Sequence, residues 1–208
     1  MDINFELMNK NDKKNYFKNI KHIGEVYAIK TNKGCALAQI AGVESSHGLQ
    51  VCRIFSKLYA DIPSNIEDVI MQKEDYVIVI QLSSMAHYKV NMAIKLGTYN
   101  IPSFFEIPKY TRWCSAFNTA GNAPFEYWII NEGYSCEIVD LKYFIEEVLK
   151  KSISDETWKD DFLKLNSSCI YNGLALIDML ENGFSLLNWK PSNIKQKTKK
   201  ILNKLEDW

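Results

Sequence analysis

The apolar residues of this chain change their spacing once, near residue 140, and that change limits the folds open to it. Between residues 24 and 139 they come in short runs bounded by turn residues, as strands do. From Leu141 onward they recur at i, i+3, i+4, i+7 and i+8 (Leu141, Phe144, Ile145, Val148, Leu149), one stripe of an amphipathic helix. Strands first and helices afterwards predict an α+β fold rather than an alternating α/β one. The expected architecture is an antiparallel, partly barrel-like β-sheet in a mainly β domain over 1–140. A C-terminal helical segment over 141–208 follows, packed on the sheet or forming a small subdomain.

The strand half opens with GEVYAIKTNKGCALAQI, residues 24–40, two apolar runs flanking Asn32-Lys33-Gly34. Gly34 can take the positive φ that a three-residue hairpin loop with a bulge requires. The small side chains of this hairpin suit a tightly curved sheet. A third strand is expected over 49–55. Tyr76-Val77-Ile78-Val79-Ile80 has no polar alternation, so both its faces should be covered. Residues 87–96 fit a helix and a strand equally well. A second hairpin of the first type spans 127–139 around Asn131-Glu132-Gly133. Before the strands, residues 1–22 carry Lys10, Lys13, Lys14, Lys18 and Lys21 on a short helix or ordered arm. Among the later helices, one through Ile170, Leu174, Ile177 and Leu180 should stop at Asn182-Gly183. Another starts at Pro191-Ser192.

Charge narrows the function classes. Twenty-five basic and twenty-five acidic residues give no net charge, so no excess of either sign calls for nucleic acid or for a basic partner. Residues 132–162 hold nine acids and four bases, whereas 187–208 hold six lysines and two acids; these read as solvated helix faces or as a docking surface of chosen sign. No apolar run reaches the eighteen residues of a membrane span, and the polar start carries no signal-peptide core. Five widely spaced cysteines (Cys35, Cys52, Cys114, Cys136, Cys169) argue against a disulfide framework and for buried thiols in a reducing cytoplasm.

Motifs of known chemistry are missing from the sequence. His22, His47 and His87 are far apart, and no zinc-type spacing occurs. No glycine-rich phosphate loop follows a strand. Gly133-Tyr134-Ser135-Cys136-Glu137 lacks the last glycine of a nucleophile elbow. Arg112 and Trp113 beside Cys114 could lower its thiol pKa, but no histidine lies near it in sequence. Adjacent acids such as Glu146-Glu147 point to different sides of a helix and do not converge on one substrate. No cofactor or metal is expected.

The feature that stands out is the long irregular stretch 97–128. It holds nine aromatic residues and three prolines (Pro102, Pro108, Pro124), and loops of such length in compact domains tend to be functional. Trp, Tyr and Arg carry much of the energy of protein interfaces. The candidate partner-binding residues are Phe104, Phe105, Tyr110, Arg112, Trp113, Phe117 and Asn118.

Gly24, Val26, Tyr27, Ala28 and Ile29, then Gly34, Ala36, Ala38, Gln39 and Ile40, form a pattern that resembles the opening of the immunity protein 26 family of bacterial polymorphic-toxin systems. Ile101-Pro102-Ser103-Phe104 followed by Trp128-Ile129-Ile130 is similar to that family's proline segment and tryptophan strand. The likeness covers about 22–140 and leaves the helical tail outside. It implies a non-enzymatic, cytoplasmic protein that binds and neutralises a cognate toxin, with no catalytic residue to carry over. Two alternatives stay open. One is a small enzyme with a spatially assembled site using His87, Cys114 and a carboxylate. The other is an SH3-like nucleic-acid-binding domain, which the absence of a basic excess disfavours.

Overall fold

The structure, a computed structural model, describes residues 9–43, 48–86, 92–107, 111–112, 129–130, 138–139, 144–152, 154–155, 157–158 and 173–182. It is α+β, built on a five-stranded antiparallel sheet that does not close. The chain enters through helix α1 (Lys10–Asn19), whose first turn is capped by the Asn9 side chain accepting from the N–H groups of Asn11 and Asp12. One 3-10 turn (Ile20–His22) leads to strand β1 (Glu25–Thr31), then β2 (Gly34–Val43) and β3 (Gln50–Tyr59). Helix α2 (Ile66–Ile70) precedes β4 (Tyr76–Val79), and the short α3 (Leu82–Met85) precedes β5 (Ala93–Thr98). The order across the sheet is β4-β3-β2-β1-β5, so the first strand lies inside the sheet, between the second and the fifth.

A second, three-stranded antiparallel sheet is formed by β6 (Thr111–Arg112), β7 (Ile129–Ile130) and β8 (Ile138–Val139). β7 and β8 pair as Ile129↔Val139 and Ile130↔Ile138, and the expected turn at Asn131-Glu132-Gly133 lies outside the described residues. A single π-helical turn covers Phe144–Val148. It is closed by Lys150 in the left-handed region (φ 53°), with the Lys151 N–H donating to the Ile145 carbonyl at 3.0 Å. Helix α4 covers Gly173–Asn182, and the expected stop at Gly183 lies outside the described residues. The helix expected after Pro191-Ser192 lies outside the described residues. No helix among the described residues is long and apolar enough to cross a membrane.

The first hairpin turns more tightly than expected. Thr31 pairs with Gly34, which leaves a two-residue loop of Asn32 and Lys33. Gly34 has the expected positive φ (124°), and a β-carbon there would lie 2.0 Å from the Tyr59 carbonyl oxygen. The turn is thus packed against the end of β3, which only glycine permits. Of residues 87–96, open between helix and strand by pattern, 93–96 belong to β5 because they pair with β1, and 87–91 lie outside the described residues.

Alternation along the strands sends side chains to two faces, and each is covered. On one face Tyr27, Ile29, Ala36, Ala38, Ile40, Cys52, Ile54 and Ile78 form a single cluster with Leu176, Ile177, Met179 and Leu180 of α4. The alanines of β2 leave room for that helix to lie close. Its last turn is tied to the first hairpin, since Glu181 Oε1 accepts from the Asn32 N–H at 2.5 Å and the Glu181 carbonyl accepts from Lys33 Nζ at 2.6 Å. On the other face Val26, Ala28, Cys35, Leu37 and Phe55 pack with Ile70 of α2. Beside them Val51, Val77 and Val79 pack under Phe105. Strand β4 is therefore covered on both faces, as its unbroken apolar run predicts. Register shifts at Val26/Tyr27, Cys35/Leu37 and Ile40/Gly42 mark bulges that add local twist.

Candidate interaction face and the polar hub beneath it

Among the polar residues that interrupt the inward-facing rows of the sheet are Gln39 on β2 and Arg53 on β3. They are cross-strand partners, and both are fully buried. A buried guanidinium is costly unless its donors are engaged, and here four hydrogen bonds engage them. Arg53 Nε donates to Glu74 Oε2 at 2.9 Å. Nη1 donates to Gln39 Oε1 at 2.7 Å and to the Ile70 carbonyl at 2.9 Å, and Nη2 donates to the Gln72 carbonyl at 2.8 Å. Gln39 Nε2 in turn donates to the carbonyls of Tyr99 and Asn100, at 3.2 and 3.3 Å. One hydrogen-bonded unit thus joins the sheet centre, the segment after α2 and the segment after β5.

The segment 99–107 runs over this hub. Pro102 is buried, and its carbonyl accepts from the Phe105 N–H at 3.0 Å. The rings of Phe55, Phe105 and Phe104 stand 5.1, 5.3 and 5.8 Å from the guanidinium carbon of Arg53, within range of cation–π attraction. Phe105 points down into the valine cluster. Phe104 stays 52 % exposed, and Ile107 and Met71 are exposed as well. Met71 lies in sequence between the two residues whose carbonyls Arg53 holds.

A second polar group sits at the junction of β1 and β5. The nearly buried Glu25 carboxylate accepts from the Tyr27 hydroxyl at 2.6 Å and from Lys95 Nζ, and meets His22 Nδ1 at 2.9 Å. Burial pulls the Glu25 pKa upward, but the bonds from Lys95, Tyr27 and His22 outweigh it and hold the carboxyl below the usual glutamate range. Burial and the adjacent carboxylate push the Tyr27 hydroxyl well above the ordinary tyrosine value. The four groups satisfy one another and fasten β1 to β5.

A third group holds α1 to the sheet. Gln50 Nε2 donates to Asn19 Oδ1 at 3.1 Å and to Ser83 Oγ at 2.8 Å, while Gln50 Oε1 accepts from the Ser83 N–H at 3.0 Å. Asn19 Nδ2 donates onward to the Gly48 carbonyl at 2.6 Å.

Of the seven partner-binding candidates, the structure places Phe104 at the surface and Phe105 in the packing beneath it. Arg112 lies on β6, paired with Ile129. Tyr110, Trp113, Phe117 and Asn118 lie outside the described residues, as do His87 and Cys114, the pair named for an assembled active site. Cys35 and Cys52 are free and buried. Burial pushes both thiols upward, away from the thiolate a nucleophile needs. Among the described residues no three His, Cys, Asp or Glu side chains gather as a metal site would require. Sequence reasoning missed Gln39, Arg53 and Glu25. The signal was present for the first two: a glutamine and an arginine at positions where the strand pattern turns inward. The chain matches no known family, no curated protein and no solved structure.

Proposed function

We propose that this protein is a non-enzymatic binding protein that docks its partner on the face around Phe104, and that the partner is a toxin it neutralises in the cytoplasm. The observation that carries the docking face is the contrast between neighbours: Phe105 anchors the segment, and Phe104 is held out half-exposed over a fixed base. An aromatic ring presented on a rigid support loses little entropy on binding, which is what an interface anchor needs. Buried free thiols at Cys35 and Cys52 suit a reducing compartment. The toxin partner rests on the likeness of residues 22–140 to the immunity protein 26 family.

The test is capture of the tagged full chain from its native cells, followed by expression of the captured protein alone. The reading expects a stoichiometric protein that arrests growth and is silenced by co-expression with this chain. The Phe104→Asp/Ile107→Asp variant should fold and fail to silence it. A folded variant that protects fully removes the docking face, and capture of no toxic protein removes the toxin reading.

A further inference from the structure

We infer that the β-bulge at Leu96-Gly97 keeps the outer edge of β5 from pairing with a second copy of this chain. Strand β5 ends the five-stranded sheet, so among the described residues no strand lies on its outer side. An edge of that kind is a template for another strand. The bonds at the two ends of β5 show which of its backbone groups point out. The Lys30 N–H donates to the Met92 carbonyl, and the Tyr99 N–H donates to the Gly24 carbonyl, each at 2.9 Å. Antiparallel bonding alternates from residue to residue. Met92 and Ile94 therefore face β1 before the bulge, and Gly97 and Tyr99 face it afterwards. Ala93, Lys95 and Thr98 turn their N–H and carbonyl groups outward. Among the described residues no backbone bond reaches them there. Ala93 is buried, whereas Lys95 and Thr98 are exposed.

The bulge puts the two exposed residues out of step. Tyr27 pairs with Lys95 and Val26 with Gly97, so Leu96 is one residue more than β1 matches. Outward groups of a regular strand recur every second residue, about 7 Å apart. Thr98 comes three residues after Lys95. A regular strand that bonds to Lys95 therefore misses Thr98, and one that bonds to Thr98 misses Lys95. Without the extra residue the edge would be self-complementary. In a two-fold antiparallel pair, Lys95 of each copy would lie opposite Thr98 of the other, and both pairs would exchange their N–H and carbonyl bonds. Lys95 is a further obstacle, because a lysine on an edge resists being covered and its ammonium is held by Glu25. The bulge can be removed with little else disturbed. Glu25 pairs with Thr98 and Gly24 bonds to Tyr99 whether or not a residue is lost before Thr98. Leu96 already packs against the cluster of Val26 and Ala28. Deleting Gly97 lets Leu96 stand opposite Val26 and leaves the other pairs of the ladder unchanged. This inference stands apart from the toxin reading, since it uses a different edge and different residues.

The experiment is sedimentation equilibrium of the full chain and of the chain lacking Gly97, from about 10 μM to about 1 mM, with amide hydrogen exchange on the same samples. The parent should stay monomeric, with rapid exchange at the Lys95 and Thr98 amides, which have no backbone acceptor. The deletion protein should form a dimer about tenfold or more tighter than any association of the parent, and both amides should slow. Adding Thr98→Pro to the deletion should return it to the monomer, because proline removes an outward N–H that β1 does not use. If the chain lacking Gly97 does not fold, deletion of Leu96 removes the same extra position and should dimerise in its place. If neither folds, the bulge serves the sheet itself and the proposal falls. A folded deletion protein no more associated than the parent overturns it. So does a dimer that Thr98→Pro leaves intact, or a parent that already pairs through these amides.

Discussion

Arg53 Nη1 donates to Gln39 Oε1 at 2.7 Å, and neither side chain is exposed to solvent. The pair sits at matching positions on adjacent strands, and each carries its bonds outward to a different connecting segment. The arrangement converts two loops into one rigid surface, because neither can lift without leaving a buried polar group unpaired.

Arg53→Met should therefore destabilise the fold by about 3–5 kcal/mol, since it strands Gln39, Glu74 and the Ile70 and Gln72 carbonyls. Arg53→Lys should recover little of this, because one ammonium cannot reproduce the planar fork. Adding Gln39→Leu to Arg53→Met should deepen the loss, because it also strands the Tyr99 and Asn100 carbonyls that the Gln39 amide holds. Urea unfolding of the four proteins measures each step, and a loss below about 1 kcal/mol for Arg53→Met would show that the hub is not a lock.

Phe104 and Phe105 should separate function from stability although they are neighbours. Phe105→Ala should cost about 2 kcal/mol of stability, less than a fully buried ring, by opening a cavity over Val51, Val77 and Val79. Phe104→Ala should change stability by no more than about 0.5 kcal/mol. It should weaken partner binding by about 2 kcal/mol or more if the ring is an anchor. Thermal melts and titration calorimetry with the captured partner read the two effects.

Glu25 gives the fold an acid-sensitive fastening. Its folded pKa lies below the ordinary value of 4.5, so the unfolded state takes up the proton first as pH falls. The stability it contributes is fully present above the ordinary glutamate range and is lost as pH drops through the lowered folded value. Glu25→Gln should be less stable than the parent by about 2 kcal/mol at pH 7. The two proteins should converge in acid below the ordinary range. Denaturant midpoints across pH test this, and a constant gap would assign the effect to packing instead.

Gln50→Leu should loosen α1 before it unfolds the sheet. The substitution leaves Asn19 and the Ser83 N–H without their partner inside the protein, at a cost of about 2–3 kcal/mol. Cleavage by trypsin at Lys13, Lys14 and Lys18 should accelerate, while hydrogen exchange in β1 to β3 stays slow. Equal acceleration throughout would mean that the helix and sheet open together.

What the sequence determined by itself is local. The change of period near residue 140 pointed to the α+β class, although α2 and α3 fall inside the strand half and a π-helical turn covers 144–148 of the expected helix stripe. Asn32-Lys33-Gly34 marked a turn with a positive-φ glycine. The unbroken run at 76–80 required cover on both faces. Each of these follows from steric and solvation preferences of residues within a turn or two of one another. The tertiary structure decided the rest. Ala93 to Thr98 became a strand because they lie beside β1, and Thr31 pairing with Gly34 shortened the first loop. Glu25 met Lys95 seventy residues away, and Arg53 collected partners from β2 and from the segment after α2. Which of two adjacent phenylalanines anchors and which is displayed depends on the valines that β3 and β4 bring beneath them. Those partnerships depend on which strands meet and at what register, and a side chain carries no local mark of a neighbour brought to it by another part of the chain.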